Sequence, residues 1–234
     1  MDILPAFDEF ARRYETGKPV LVWTSLVADL ETPVSAMLKL AAGRPNSFLF
    51  ESVEGGERIG RYSIIGLKPD LIWRCFRDKA EINRHADQDA GMFVAQPEAA
   101  LDSLRSLVAE CRVETPAPLP PMAAGLFGYL GYSTVGLIEK LPDANPDTLG
   151  IPDAMLLRPT IICIFDNVLD SATVVTPVWP GSSSARASYD AACARLGAVM
   201  ADFDHNLPQR RAADAILQEP VSYTHLTLPT TERV

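Results

Sequence analysis

The stretch from Asn46 to Gly66, NSFLFESVEGGERIGRYSIIG, constrains the fold more than any other part of the chain. Phe48, Leu49 and Phe50 form an apolar run that ends in Glu51 and Ser52. A short acidic turn with Gly55 and Gly56 follows, and Ile59 to Ile65 returns as an amphipathic run. Two such runs joined by a short glycine-containing turn predict a hairpin, with an acid and a hydroxyl at the end of its first strand. Arg61 and Tyr62 on the return are expected to face that pair. A carboxylate, a hydroxyl, a guanidinium and a phenol gathered together suit a small zwitterion such as an amino acid. The same spacing also describes an ordinary hairpin with a polar mouth.

The rest of the chain extends this pattern. Pro19 to Leu26 is rich in β-branched and aromatic residues and reads as a strand, after a short amphipathic helix over Ile3 to Tyr14. Thr32 as N-cap and Pro33 at the first position start a helix that Gly43 stops. Asp70 to Arg77 alternates as a strand paired with Lys79 to Asn83, and Pro97 to Cys111 carries a helical apolar face. TPAPLPP, from Thr115 to Pro121, is an extended connector. Ile151 to Thr160, with two prolines, reads as a loop or short strand; Ile161 to Val168 and Ala172 to Val178 read as a strand pair. Ser184 caps a last helix running through Phe203. Strands interrupted by helices without regular βαβ alternation predict an α+β fold of layered, largely antiparallel sheets with flanking helices.

Gly125, Gly128 and Gly131 recur every three residues among aromatics. Without GK[ST] or a strand-to-helix turn, a phosphate loop is poorly supported. Close packing of a strand against a neighbouring backbone, before a helix through Glu139, is the expectation.

Among 234 residues, 47% are hydrophobic and 22% charged, which suits a chain with a sizeable core. A net charge of −9 argues against nucleic acid or an anionic membrane as partner. Cys75, Cys111, Cys163 and Cys193 are far apart and read as free thiols rather than disulfides or zinc ligands. The N-terminus has acids where a signal peptide needs basic residues, and no apolar run approaches a membrane span, so the chain reads as cytoplasmic. His85, His205 and His225 have no neighbours at metal-ligand spacing, no GxSxG elbow is present, and the paired carboxylates read as solvated turn residues.

Three segments taken together, FLFESVEGGERIGRYSIIG, AGLFGYLGYSTVGLIEKLP and GIPDAMLLRPTIICIFDNVLD, resemble in order and spacing the N-terminal half of anthranilate synthase component I. The resemblance covers about Pro19 to Ser222. Aminodeoxychorismate synthase and isochorismate or salicylate synthases are relatives sharing the fold. The second segment departs from the family's version at Ser133 and Gly136, which stand where Asp and Arg are common. The family implies a feedback site for L-tryptophan, with Ser52 and Glu51 on the amino group and Arg61 and Tyr62 near a further ligand contact. It also implies that whole members convert chorismate and glutamine-derived ammonia to anthranilate, with Mg²⁺ and a glutamine amidotransferase subunit as partner. The acids that hold Mg²⁺ and the groups that bind chorismate belong to the family's C-terminal half. No catalytic residue and no metal ligand is therefore expected in this chain. Residues 1–222 are expected to form the regulatory region. Residues 223–234, from the run SYTHLTLPTTERV, are expected to be a non-native tail on a truncated frame, leaving apolar surface uncovered on one side.

Overall fold

A computed structural model describes residues 1–54, 58–140 and 147–207. Residues 223–234, expected to be the foreign tail, and His225 lie outside the described residues, as does most of the turn that follows Glu54. The order of elements is α1 (Phe7–Tyr14), β1 (Val20–Val27), α2 (Pro33–Ala41), β2 (Phe48–Glu54), β3 (Arg58–Phe76), β4 (Lys79–Asn83), β5 (Val94–Ala99), α3 (Ala100–Glu110), β6 (Phe127–Leu130), β7 (Ala154–Asp166), β8 (Ser171–Val178) and α4 (Ala185–Phe203). Every strand pair is antiparallel. The eight strands form one sheet in the order β1-β8-β7-β3-β4-β5, with β2 added to β3 and β6 to β7.

Two long strands, β3 and β7, organise this sheet. They pair with each other from Tyr62–Asp166 to Cys75–Ala154. The first part of β3 has β2 on its other side, and the second part has β4. Likewise β7 meets β6 along Ala154–Leu157 and β8 along Ile162–Asp166. Two half-sheets thus share a spine. At their junction Pro69 stands opposite Pro159, the register shifts between Pro69 and Leu71, and Lys68 takes φ +49°. Two prolines that donate nothing to the ladder make this a natural place for a bend.

The sequence divided both spine strands at this point. The predicted strand Asp70–Arg77 is the second half of β3, which ends at Phe76, rather than a separate strand, and of the prolines in Ile151–Thr160 Pro152 precedes β7 while Pro159 lies within it. Pro97 lies within β5, an edge strand where a missing donor is tolerated, so the helix starts at Ala100 rather than Pro97. The predicted helix through Glu139 is a 3-10 turn over Tyr132–Leu137.

The first half-sheet is covered by α1, α2 and α4. Phe10, Leu40, Ile65, Leu67, Cys163, Val174, Leu196 and Phe203 pack together there. The caps of this layer are those expected: Thr32 Oγ1 accepts from Ser35 N at 3.0 Å while Ser35 Oγ accepts from Thr32 N at 2.9 Å, and Ser184 Oγ accepts from Ala187 N. The opposite face is crossed by the proline-rich connector, whose Leu119 and Ala123 close over Leu21, Trp23, Ile162 and Val175. In the second half-sheet α3 covers Leu71, Trp73, Cys75 and Ile82. Gly128 lies against the Met155 carbonyl, where a Cβ would collide with β7, so the glycine spacing serves close strand packing, as expected.

All four cysteines are free. Tyr129, Leu130, Tyr132, Ile138, Leu149 and Ile151, in and around β6, are all exposed. No described helix is long and apolar enough to cross a membrane.

Candidate functional site

Among the described residues β2 pairs only with β3, so it is an edge of the first half-sheet. Phe48, Leu49, Phe50 and Glu51 stand opposite Gly66, Ile65, Ile64 and Ser63 in regular register. Past Glu51 the register shifts, so that Ser52 alone spans the stretch of β3 from Gly60 to Tyr62. This bulge is what sets Ser52 against Gly60. Gly60 is essential to it. A Cβ on Gly60 would collide with Ser52 Cβ and Oγ, so only the missing side chain lets Ser52 sit against the return strand.

Successive side chains of a strand leave opposite faces. Leu49 packs into the core beneath the helices, so Glu51 leaves on that side, opposite Ser63. Phe48 stacks on Phe127 on the other side, and Phe50 and Ser52 follow it there. Tyr62 packs on that side too, against the connector-covered cluster. Ser52 and Tyr62 are therefore brought to one face, while the Glu51 carboxylate starts from the other. Both Glu51 and Ser52 are exposed at the sheet edge.

Arg61 is engaged. Its Nε and Nη2 donate to the Asp166 carboxylate at 2.8–3.2 Å, and its Cζ lies 4.9 Å from the Tyr62 ring centroid. The hydrogen bonds from Arg61 hold the Asp166 carboxyl below its usual range, and the same bonds raise the Arg61 pKa. Asp166 also accepts from Val168 N and Leu169 N in the turn after β7. Asn167 Nδ2 donates to the Gly60 carbonyl at 2.7 Å, tying that turn to the bulge. Among the described residues Arg61 Nη1 makes no hydrogen bond. Asp166 and Asn167 went unnoticed as site residues because each lies more than 100 positions from its partner. The one signal available was the acid at the end of an apolar run, IFDN.

Among the described residues no hydrogen-bond partner reaches the buried Ser63 Oγ, opposite Glu51. Among the described residues no group of three or more His, Cys, Asp and Glu stands together to hold a metal ion. The donors present therefore do not fit an Mg²⁺ site. A cleft of about 660 Å³ lies elsewhere, between α1, the start of β1 and Arg112–Glu114.

No protein-family model matches the chain. It is 47% identical over 216 residues to anthranilate synthase component 1 of Cereibacter sphaeroides, an alignment covering 92% of this chain and 43% of that protein. The enzyme component of the same name from Pseudomonas aeruginosa is 35% identical over 190 residues, covering 80% of this chain and 37% of the relative. Anthranilate synthase component I of Streptococcus pneumoniae has the same fold over 78% of this chain and 37% of its own, with a TM-score of 0.50 at 20% identity. The chain thus spans less than half the length of these relatives. It belongs to the anthranilate synthase component 1 family and matches the N-terminal part of its members.

Proposed function

We propose that this chain carries the tryptophan-sensing part of an anthranilate synthase large subunit. The observation that carries the reading is the 47% identity to anthranilate synthase component 1 over 92% of the chain. The geometry of the β2 edge supports it. Ser52 presents an exposed hydroxyl on one face of this edge, suited to an ammonium group, and the exposed carboxylate of Glu51 starts from the other face. Arg61, fixed through two of its nitrogens by Asp166, offers Nη1 to the ligand carboxylate, and Tyr62 adds its phenol on the Ser52 face. An ammonium and a carboxylate are what every amino acid brings.

In the whole protein the same reading assigns conversion of chorismate to anthranilate and pyruvate, with ammonia delivered from glutamine by an amidotransferase subunit. In the same reading Mg²⁺ and chorismate are held by sequence beyond the part matched here, and the matched part alone is expected to be inactive. No catalytic step is assigned to its residues.

Calorimetric titration of L-tryptophan into the purified chain tests the reading, with Ser52→Ala and Arg61→Ala in parallel. Saturable binding to the wild type, weakened at least tenfold in both variants, is expected. Binding unaltered by either substitution would place the ligand elsewhere, and a folded wild type that binds nothing would refute the site in this chain. For the assembly, adding the amidotransferase and the full-length relative's C-terminal part should restore glutamine-dependent anthranilate formation, read by its fluorescence.

A further inference from the structure

The run ARRYETGKP, from Ala11 to Pro19, gathers positive charge in a chain whose net charge is −9. Arg12 and Arg13 lie in the last turn of α1. Gly17, at φ +74°, then turns the chain from α1 into β1, which returns Lys18 to the side of the two arginines. Arg112, just past the end of α3, reaches the same place from another part of the fold. These four cations line the cleft of about 660 Å³, whose acids are Glu9 and Glu114. Its floor is the start of β1, where Val20 and Leu21 are buried.

Basic residues in a last turn offset the helix dipole, and Arg12 and Arg13 do so for α1. That does not explain why Lys18 and Arg112 converge on the same cleft. Arg13 is engaged, its Nη2 lying 3.0 Å from Glu9 Oε1. Arg12 uses only Nε, which donates to the Asp8 carbonyl at 3.3 Å. Among the described residues no hydrogen bond or ion pair engages the Arg12 Nη atoms, the Lys18 ammonium or the Arg112 guanidinium. Cations held around one cavity with too few acids repel each other, and an anion between them relieves that repulsion.

The donors also narrow the chemistry. Among the described residues no aromatic ring lines the cleft, so nothing there stacks on a base or another ring. Guanidinium forks and an ammonium approach from α1, from the start of β1 and from the segment after α3, and so surround a ligand. A carboxylate spreads two oxygens in one plane and suits a single fork. A phosphoryl group presents three oxygens tetrahedrally and accepts from several sides. We infer that this cleft binds the phosphoryl groups of a small phosphorylated ligand, at a second site independent of the proposed amino-acid site.

The test is calorimetric titration of inorganic pyrophosphate into the purified chain, at low salt and with added KCl, with malonate as a carboxylate dianion for comparison. Each variant is first checked for a cooperative melt, which substitutions at exposed Lys18, Arg112 and Glu114 should preserve. Saturable pyrophosphate binding is expected, tighter than malonate binding and weakened by KCl. Lys18→Ala and Arg112→Ala should each weaken it about tenfold. Glu114→Gln, which removes a competing acid, should tighten it. Arg105→Ala, which removes an exposed cation outside the cleft, should leave it unchanged. Equal weakening by Arg105→Ala and Arg112→Ala, malonate binding as tight as pyrophosphate, or no saturable binding to the wild type would overturn the phosphoryl site. None of these results bears on tryptophan at the β2 edge.

Discussion

The two halves of β3 obey different rules. From Leu71 to Phe76 the strand lies between β4 and β7 beneath α3, and its polar groups are paired. Trp73, 1% exposed, donates Nε1–H to Ser103 Oγ at 3.1 Å. Asp70 takes two hydrogen bonds from Arg158, at 2.8 and 2.9 Å. From Gly60 to Ser63 the same strand is bulged, its edge partner is exposed, and Ser63 Oγ is buried with no partner among the described residues. Satisfied polar groups and filled volume mark the half that supplies stability. A bulge, an exposed acid and hydroxyl, and an orphaned hydroxyl mark the half that is available for recognition.

Substitutions should separate these halves by size of effect. Trp73→Ala empties the centre of the second core and strands Ser103, and should cost about 3–5 kcal/mol in urea unfolding. Asp70→Ala leaves Arg158, only 12% exposed, without its bidentate partner. About 2–4 kcal/mol is expected, by the same measurement. In the recognition half, Gly60→Ala forces Ser52 off the return strand and should cost about 1–3 kcal/mol. Its effect on tryptophan affinity should exceed that of either core variant that still folds.

Smaller again is the pH effect of Asp166. Its folded carboxyl titrates below the unfolded value because Arg61 hydrogen-bonds it. The stabilisation is therefore complete above about pH 4 and is lost as pH falls through the lower folded value. Melting temperatures of wild type and Asp166→Asn should differ at pH 7 and converge as the pH falls through the depressed titration range of Asp166. Ser52→Ala, at an exposed position, should change stability by no more than about 0.5 kcal/mol while abolishing binding. A stability loss as large as that of Gly60→Ala would move Ser52 into the structural class and blur the contrast between the halves.

What the sequence disclosed follows the same divide. Local chemistry was legible: the hairpin, the Thr32 and Ser184 caps and the free thiols all arise within short stretches, whereas Arg61 is taken up by Asp166 and Glu51 leaves from the face opposite the one that Ser52 and Tyr62 share. The spine was not, because Pro69 and Pro159 read as strand ends when taken singly, and only their mutual pairing keeps β3 and β7 continuous. The Arg61–Asp166 pair was hidden for a related reason, since nothing local signals a partner 105 residues away. Face assignment was out of reach as well. Whether Glu51 and Ser52 share a face depends on register, which the bulge sets and the packing of Leu49 and Phe48 reveals.

Amide hydrogen exchange with and without saturating L-tryptophan tests the contrast most directly, because it reads both halves of β3 in one sample. Slower exchange confined to β2 and to residues 58–66 of β3, with residues 71–76 unchanged, is the predicted result. Protection gained mainly along residues 71–76, or no protection anywhere in a chain that binds tryptophan, would contradict it.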